Sequence, residues 1–446
     1  MRSKLCTAAL FWLICAAAAI SAWSQAPAPY RLTLQDAIQK ALQANLNVLV
    51  AGTRVDEAEA TRARRLAAAL LPRVNAQTYA NFSNHDLQAQ GLSFPGMPKL
   101  VGPLSNYDFR VYAQENIVDL QSRRALKASE FAVDAGKMDE RDARDLIVRA
   151  IAALYLNAQS AAARADAAES RVKDANALDK LAQDKHDAGS ATGVDVLRAQ
   201  VQLANDKQAL LIARNQYKQA LLELERAMGM SPGAALELAE PLNYQSLQKP
   251  EIETLTSAAL LERADYLSLV KQREGLVEQQ SANHARALPR LSVNGNFGEI
   301  GRSIGGMKST GLVQGQIDFT LFDRDRNGEA QELASRVKRI DDQIADQRRG
   351  IEEDLREALL NLDSASEQVT VARDGEELAR RELQMAQDRF REGTANNVEV
   401  ITAQDELARA EENFILAVSS HVDAKFALAR AMGDTEKNIL EFTGNH

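Results

Sequence analysis

Apolar residues in the second half of the chain recur at steps of four and three. Leu333, Val337, Ile340 and Ile344 set the rhythm, and Ile351, Leu355, Ala358, Leu362, Ala365, Val369 and Ala372 continue it. Shifted back by 204 residues, Ile147, Ile151, Leu154 and Ala158 repeat the same steps. This spacing predicts coiled-coil helices, with alanines that let the axes approach closely. The prolines leave room for great length, because none falls between residues 104 and 231 or after 289, and proline costs a helix interior about 3 kcal/mol. Helices over about 120–185 and 325–390 are expected, each about 100 Å long at ~1.5 Å per residue. Shorter return helices follow over about 194–229 and 398–432. The first carries the stripe Leu210, Ala213, Tyr217, Leu221, Leu224 and Met228.

Between the helical blocks the period changes to two. Val74, Ala76, Thr78, Ala80 and Phe82 alternate with Asn75, Gln77, Tyr79 and Asn81, and Tyr107, Phe109, Val111 and Ala113 alternate with Asp108, Arg110, Tyr112 and Gln114. Leu291, Val293 and Phe297 oppose Ser292, Asn294 and Asn296; Val313, Ile317, Phe319 and Leu321 oppose Gln314, Gln316, Asp318 and Thr320. Four strands are expected, over about 74–83, 106–118, 290–299 and 311–322. Each has one apolar and one polar face and is near the length of a membrane strand. A half-buried soluble sheet gives the same pattern for any single strand. If the strands do span a membrane, four are too few to close a barrel, which needs about eight, and lipid does not tolerate open edges. Several chains would then share one barrel.

Composition narrows the setting. The first 24 residues have Arg2 and Lys4, an apolar run from Leu5 to Ile20 and the small-x-small site Ala22-Trp23-Ser24, the marks of a secretory signal peptide. Its removal takes away Cys6 and Cys15, the chain's only cysteines, so disulfides and cysteine metal sites are excluded. The formal charge changes from −9 to −11, since this segment holds two bases and no acid. A net acidic chain with mixed-sign helices argues against nucleic acid as a partner. His85, His186, His284, His421 and His446 are scattered without metal-ligand spacing, and no nucleophile elbow or phosphate loop occurs. No enzyme activity, cofactor or metal is expected. The Gly-rich run Gly298–Gly306 lies between expected strands, where a turn explains it.

The plan is written twice. Leu71-Pro72-Arg73 and Leu288-Pro289-Arg290 lead into the two strand pairs, with Pro72 and Pro289 as the helix-to-barrel turns. Val118-Asp119 answers Phe322-Asp323, and "ERAMG" from Glu225 answers "ARAMG" from Ala429, both at an offset of 204. "GSATGVDVLRAQ" (189–200) and "GTANNVEVITAQ" (393–404) share that offset. Residues 25–446 thus read as one unit of two repeats, about 32–235 and 250–442.

These features together resemble the TolC family of outer membrane efflux proteins, from "LTLQDAIQKAL" (32–42) to about Phe442. The resemblance implies a mainly α fold with a small β part, and a homotrimer in which four strands per chain build a 12-stranded barrel. Below the barrel, an α-helical tunnel of antiparallel coiled coils would cross the periplasm. It also implies residence in the outer membrane of a Gram-negative-type bacterium, in contact with its lipid. The expected partners are a periplasmic adaptor (membrane fusion) protein and an inner-membrane pump or secretion transporter. A soluble periplasmic coiled-coil scaffold is the rival reading. It accounts for export and helices, but poorly for clean strand alternation and duplication.

By the same resemblance, the two matched turns are hairpin tips at the periplasmic mouth. Gly189 and Gly393 are expected to take positive φ and end the long helices. Lys185, His186, Arg389 and Arg391 suit the negative end of the helix dipole. Asp195 has two readings, as partner of Thr192 in a capping box or as an aperture carboxylate that attracts cations; Glu399, after Asn396, has the same two. The family places a second acid where this chain has Thr402. It places a gate-locking tyrosine and arginine where this chain has Phe390 and Ala395. Asp195, Glu399, Thr402 and Phe390 are therefore the candidate aperture residues. Gly189, Ser190, Ala191, Gly393, Thr394 and Ala395, small and at the tips, are the candidates for adaptor docking.

Overall fold

The computed structural model describes residues 30–89, 91–92, 95–96, 98–233, 236–247, 251–433 and 435–443. The expected signal peptide, residues 1–24, lies outside them. Both halves of the chain run through the same order of elements. The first contains α1 (Leu34–Ala44), α2 (Leu46–Leu70), β2 (Arg73–Asp86), β3 (Leu100–Val118), α3 (Leu120–Asp187) and α4 (Gly193–Ala227). The second contains α5 (Ile252–Glu262), α6 (Ala264–Ala285), β5 (Arg290–Gly301), β6 (Lys308–Asp318), α7 (Arg324–Glu392) and α8 (Asn397–Met432). Short strands β1 (Tyr30–Leu32) and β4 (Leu236–Leu238) pair in parallel, and α9 (Thr435–Thr443) closes the described chain.

Local chemistry explains the changes of element. Leu71, held extended by the proline that follows it, caps α2 at φ −114° and ψ 143°, and β2 starts two residues later. Each long helix opens on an aspartate: Asp119 accepts the Ser122 N–H at 3.0 Å, and Asp323 accepts the Arg326 N–H at 3.2 Å. The helices α4 and α8 end at Gly229 and Gly433, with φ of 70° and 82°. A Cβ on Gly229 would stand 2.7 Å from that of Ala44, and one on Gly433 would stand 2.9 Å from the Arg263 backbone nitrogen. Glycine thus lets each return helix press against the kink between the first two helices of its own half.

The sheet runs β2-β3-β5-β6, antiparallel throughout, leaving β2 and β6 as unpaired edges. Pairing places Asn75, Tyr112, Asn296 and Leu312 in one row of the polar face, and Ala76, Val111, Phe297 and Gly311 in the next row, on the apolar face. That apolar face is bare: Val313 is 81% exposed and Phe297 68%. The strand expected over 311–322 instead spans Lys308–Asp318. Pairing ends where Arg290, the first residue of β5, meets Asp318, so Phe319 to Phe322 have no partner strand. Helices α3 and α7, of 68 and 69 residues, reach about 100 Å from the sheet. A core of Leu32, Leu34, Ile38, Tyr155, Leu224, Met228 and Phe426 braces α3 part of the way along, and a second core of Leu255, Ile351, Leu355, Leu362 and Leu428 braces α7.

Candidate functional site

The four long helices end together, far from the sheet. At the first tip Gly189 (φ 72°) reverses the chain, while the Ser190 N–H bonds the Lys185 carbonyl at 2.8 Å. At the second, Gly393 (φ 78°) does the same, and the Thr394 N–H bonds the Arg389 carbonyl at 3.0 Å. Both are left-handed helix terminations that suit glycine. Gly189, Ser190, Gly393 and Thr394 are exposed, while Ala191 and Ala395 are half-buried.

The two tips differ in how they cap the return helix. Thr192 and Asp195 form a reciprocal box. Asp195 Oδ2 accepts from the Thr192 N–H at 3.0 Å and from its hydroxyl at 2.7 Å, and the Thr192 hydroxyl oxygen accepts the Asp195 N–H at 3.4 Å. These bonds, outweighing some desolvation and helped by Arg198, hold the Asp195 carboxyl below its ordinary range. At the second tip Asn396 caps alone, accepting from Val398 and Glu399 N–H groups at 3.1 and 3.3 Å. Glu399 turns instead to Arg389, at 2.6 Å. Both tip carboxylates therefore already have partners within the protomer.

Two bonds between the hairpins escaped sequence reasoning. Lys185 Nζ donates to the Phe390 carbonyl at 2.5 Å and lies 4.9 Å from the centre of the Phe390 ring. Asn397, fully buried, donates to the Asp195 carbonyl at 2.6 Å. Around them Leu178, Ala182, Leu383, Ala386, Val400 and Ala403 form an apolar plug. Phe390, expected at an aperture, belongs to this plug at 4% exposure: its neighbours within the protomer already enclose the ring. Thr402 is exposed on α8.

Next to the plug, the interface between the hairpins turns polar. Gln202 reaches Asp206 and Asp405, each at 3.4 Å, while Gln404, 8% exposed, keeps an unpartnered side-chain oxygen. Burial pushes Asp206 and Glu411 up, against the pull of Arg171. Among the described residues, no group of three or more His, Cys, Asp or Glu side chains is placed to hold a metal.

A sheet with one bare apolar face, carried on helices of this length, defines a membrane-embedded protein with a long extramembrane stalk. The family model described as outer membrane efflux protein matches residues 37–230 and 255–434. The chain belongs to that family, and it is an outer membrane efflux protein, as the resemblance to TolC-type channels led one to expect. Among its relatives is the pyoverdine export outer membrane protein OpmQ of Pseudomonas aeruginosa, 23% identical over 421 residues that cover 90% of this chain and 85% of OpmQ. Among solved structures, the outer-membrane channel OprN superposes with a TM-score of 0.73 at 20% identity, covering 90% of this chain and 89% of that one. VceC of Vibrio cholerae superposes with a TM-score of 0.74 at 17% identity, covering 90% and 96%. These likenesses establish the fold.

Proposed function

We propose that three copies of this chain close their sheets into one 12-stranded barrel and their helices into a periplasmic tunnel, forming the outer channel of an efflux or secretion machine. The observation that carries this reading is the sheet itself, four-stranded, bare on its apolar face and unpaired at β2 and β6. In lipid those edges need partners, and copies of the same chain supply them. Two unpartnered seams along the stalk support the same assembly. Val194, Leu197, Val201 and Leu211 are exposed on α4, and Val371, Leu378 and Met385 are exposed on α7 at seven-residue spacing.

In this assembly the tips form the periplasmic mouth. Asp195, Glu399 and Thr402 stand nearest it. The small exposed residues Gly189, Ser190, Gly393 and Thr394, with Ala191 and Ala395 beside them, receive the hairpin of a periplasmic adaptor that links the channel to an inner-membrane pump. The test is the protein mass of the detergent-extracted chain by light scattering with detergent subtracted. Three chains is the expected result; a monomer that needs no detergent would refute the shared barrel.

A further inference from the structure

The polar face of the sheet carries six charged residues. Arg73 lies on β2, Asp108 and Arg110 on β3, Arg290 on β5, and Lys308 and Asp318 on β6; strand pairing puts all six on the face shared with Asn75, Tyr112 and Gln314. Both acids are occupied. Asp108, 2% exposed, takes the Arg110 Nε–H at 2.7 Å. A Cβ on Gly298 would stand 2.1 Å from the Phe109 carbonyl oxygen and 2.6 Å from Arg110 Cα, so glycine there lets β3 and β5 approach closely beside the arginine. Asp318 is 3.6 Å from Arg290. Arg73 and Lys308, both exposed, remain without a carboxylate among the described residues, one toward the helical end of the sheet and one at the outer end. The rest of this face is mainly Asn, Gln, Ser, Thr and Tyr.

We propose that Arg73 and Lys308 give the barrel lumen an uncompensated positive charge that favours the passage of anionic solutes over cationic ones. The proposal rests on the shared-barrel reading, which turns the polar face inward and repeats both charges three times around one lumen. A narrow, low-dielectric wall lined by one sign of charge focuses its field and concentrates counter-ions. At the mouth Asp195 and Glu399 are each paired with an arginine, Arg198 at 3.5 Å and Arg389 at 2.6 Å, so neither adds an uncompensated negative charge. The ligand class is therefore carboxylate-, sulfate- or phosphate-bearing, and the barrel, rather than the tips, sets the sign of selectivity.

Cys6 and Cys15, the only cysteines of the sequence, lie within the expected signal peptide, so a single reporter thiol can be placed in the barrel of the mature, detergent-solubilised protein. Thr310→Cys lies on the polar face two residues from Lys308, and Gln314→Cys lies in the same row as Arg73. Val313→Cys lies on the apolar face. Each thiol is reacted with a sulfonate-bearing and a trimethylammonium-bearing methanethiosulfonate, and the rates are normalised to a free thiol. At low salt the anionic reagent should lead at Thr310→Cys by about tenfold. Lys308→Glu should erase or reverse that lead there, while Arg73→Glu should act mainly at Gln314→Cys. A lead for the cationic reagent, or a ratio untouched by Lys308→Glu, overturns the proposal and leaves the barrel standing. Free reaction of Val313→Cys with both charged reagents would overturn the barrel reading itself, and this inference with it.

Discussion

Lys185 offers the sharpest probe of what holds the tips together. Lys185→Met keeps the length and apolar stem of the side chain but removes the bond to the Phe390 carbonyl and the charge beside its ring. A hydrogen bond from a charged donor is worth about 1.5–3 kcal/mol net. Lys185 is half-exposed, so about 1–1.5 kcal/mol is the appropriate share. The cation–ring contact adds about 0.5 kcal/mol. No penalty follows for an orphaned carbonyl, because the Gly393 N–H still bonds Phe390 O at 3.2 Å. The sum, about 1.5–2 kcal/mol, corresponds to a ten- to thirty-fold rise in separation of the hairpins, at about 1.4 kcal/mol per decade. A tip that leaves its neighbour loses its buried face, and helix ends without packing fray. Hydrogen exchange should therefore speed up by that factor at Ala386, Phe390, Val400 and Ala403, and remain unchanged around Ile151 and Tyr155. Acceleration below about threefold at the tip would mean that the apolar plug alone holds the hairpins. Uniform acceleration along the chain would mean that Lys185 supports the whole protomer instead.

Two further outcomes follow from the same geometry. Gly393→Ala meets nothing within 4 Å, so only its left-handed backbone (φ 78°) resists, at about 1–2 kcal/mol; Gly433→Ala adds a collision with the backbone of Glu262 and Arg263, both at 2.9 Å, and should lower the denaturation midpoint clearly further. Burial raises Asp206 in the folded state, so its stabilising share is complete at or below its unfolded value near 4 and is lost as pH rises through the folded value. Asp206→Asn should accordingly stabilise the protein against unfolding at pH 7 and make little difference at pH 4; equal effects at both would show that the carboxyl is solvated in the folded protein.

What the sequence reveals depends on whether one residue alone carries the constraint. The long helices were legible because their seams repeat over many turns without proline. The glycines at 189 and 393 were legible because a tight helix reversal admits few other residues. Strand alternation was legible because each strand wets one face. Its limits were not, since pairing is a property of two strands. Phe319 to Phe322 continue a plausible pattern yet have no partner, whereas Leu100 to Ser105 join β3 across Gly102-Pro103 because β2 extends to Asp86 beside them. The bonds between the tips were invisible for the same reason: Lys185 and Phe390 are 205 positions apart. Nothing local separates Asn396, which caps a helix, from Asn397, which crosses to the other hairpin. The matched position of Phe390 points to an aperture, whereas the side chains that enclose its ring, Ala182 and Leu383 among its cluster, are brought there only by packing of the hairpins.

The surfaces left unsatisfied in the protomer are unevenly distributed, and that bears on how a mouth could open. The sheet has two bare edges and a bare apolar face, and the stalk has apolar seams on α4 and α7, so in the proposed trimer these parts would gain most from neighbouring copies. At the tips the balance differs. The plug is complete, both tip carboxylates have partners, and two polar bonds already join the hairpins within one chain. In the proposed trimer, cohesion between copies would belong chiefly to barrel and stalk, while cohesion at the tips belongs largely to the chain itself. A motion that separates the two hairpins of one protomer would break the Lys185 and Asn397 bonds and part the plug. The adjoining layer would yield readily, since its Gln202 bonds are 3.4 Å long and Gln404 has an oxygen left unpaired. Such a motion leaves the sheet untouched, so in the proposed trimer the mouth would widen without loosening the shared barrel.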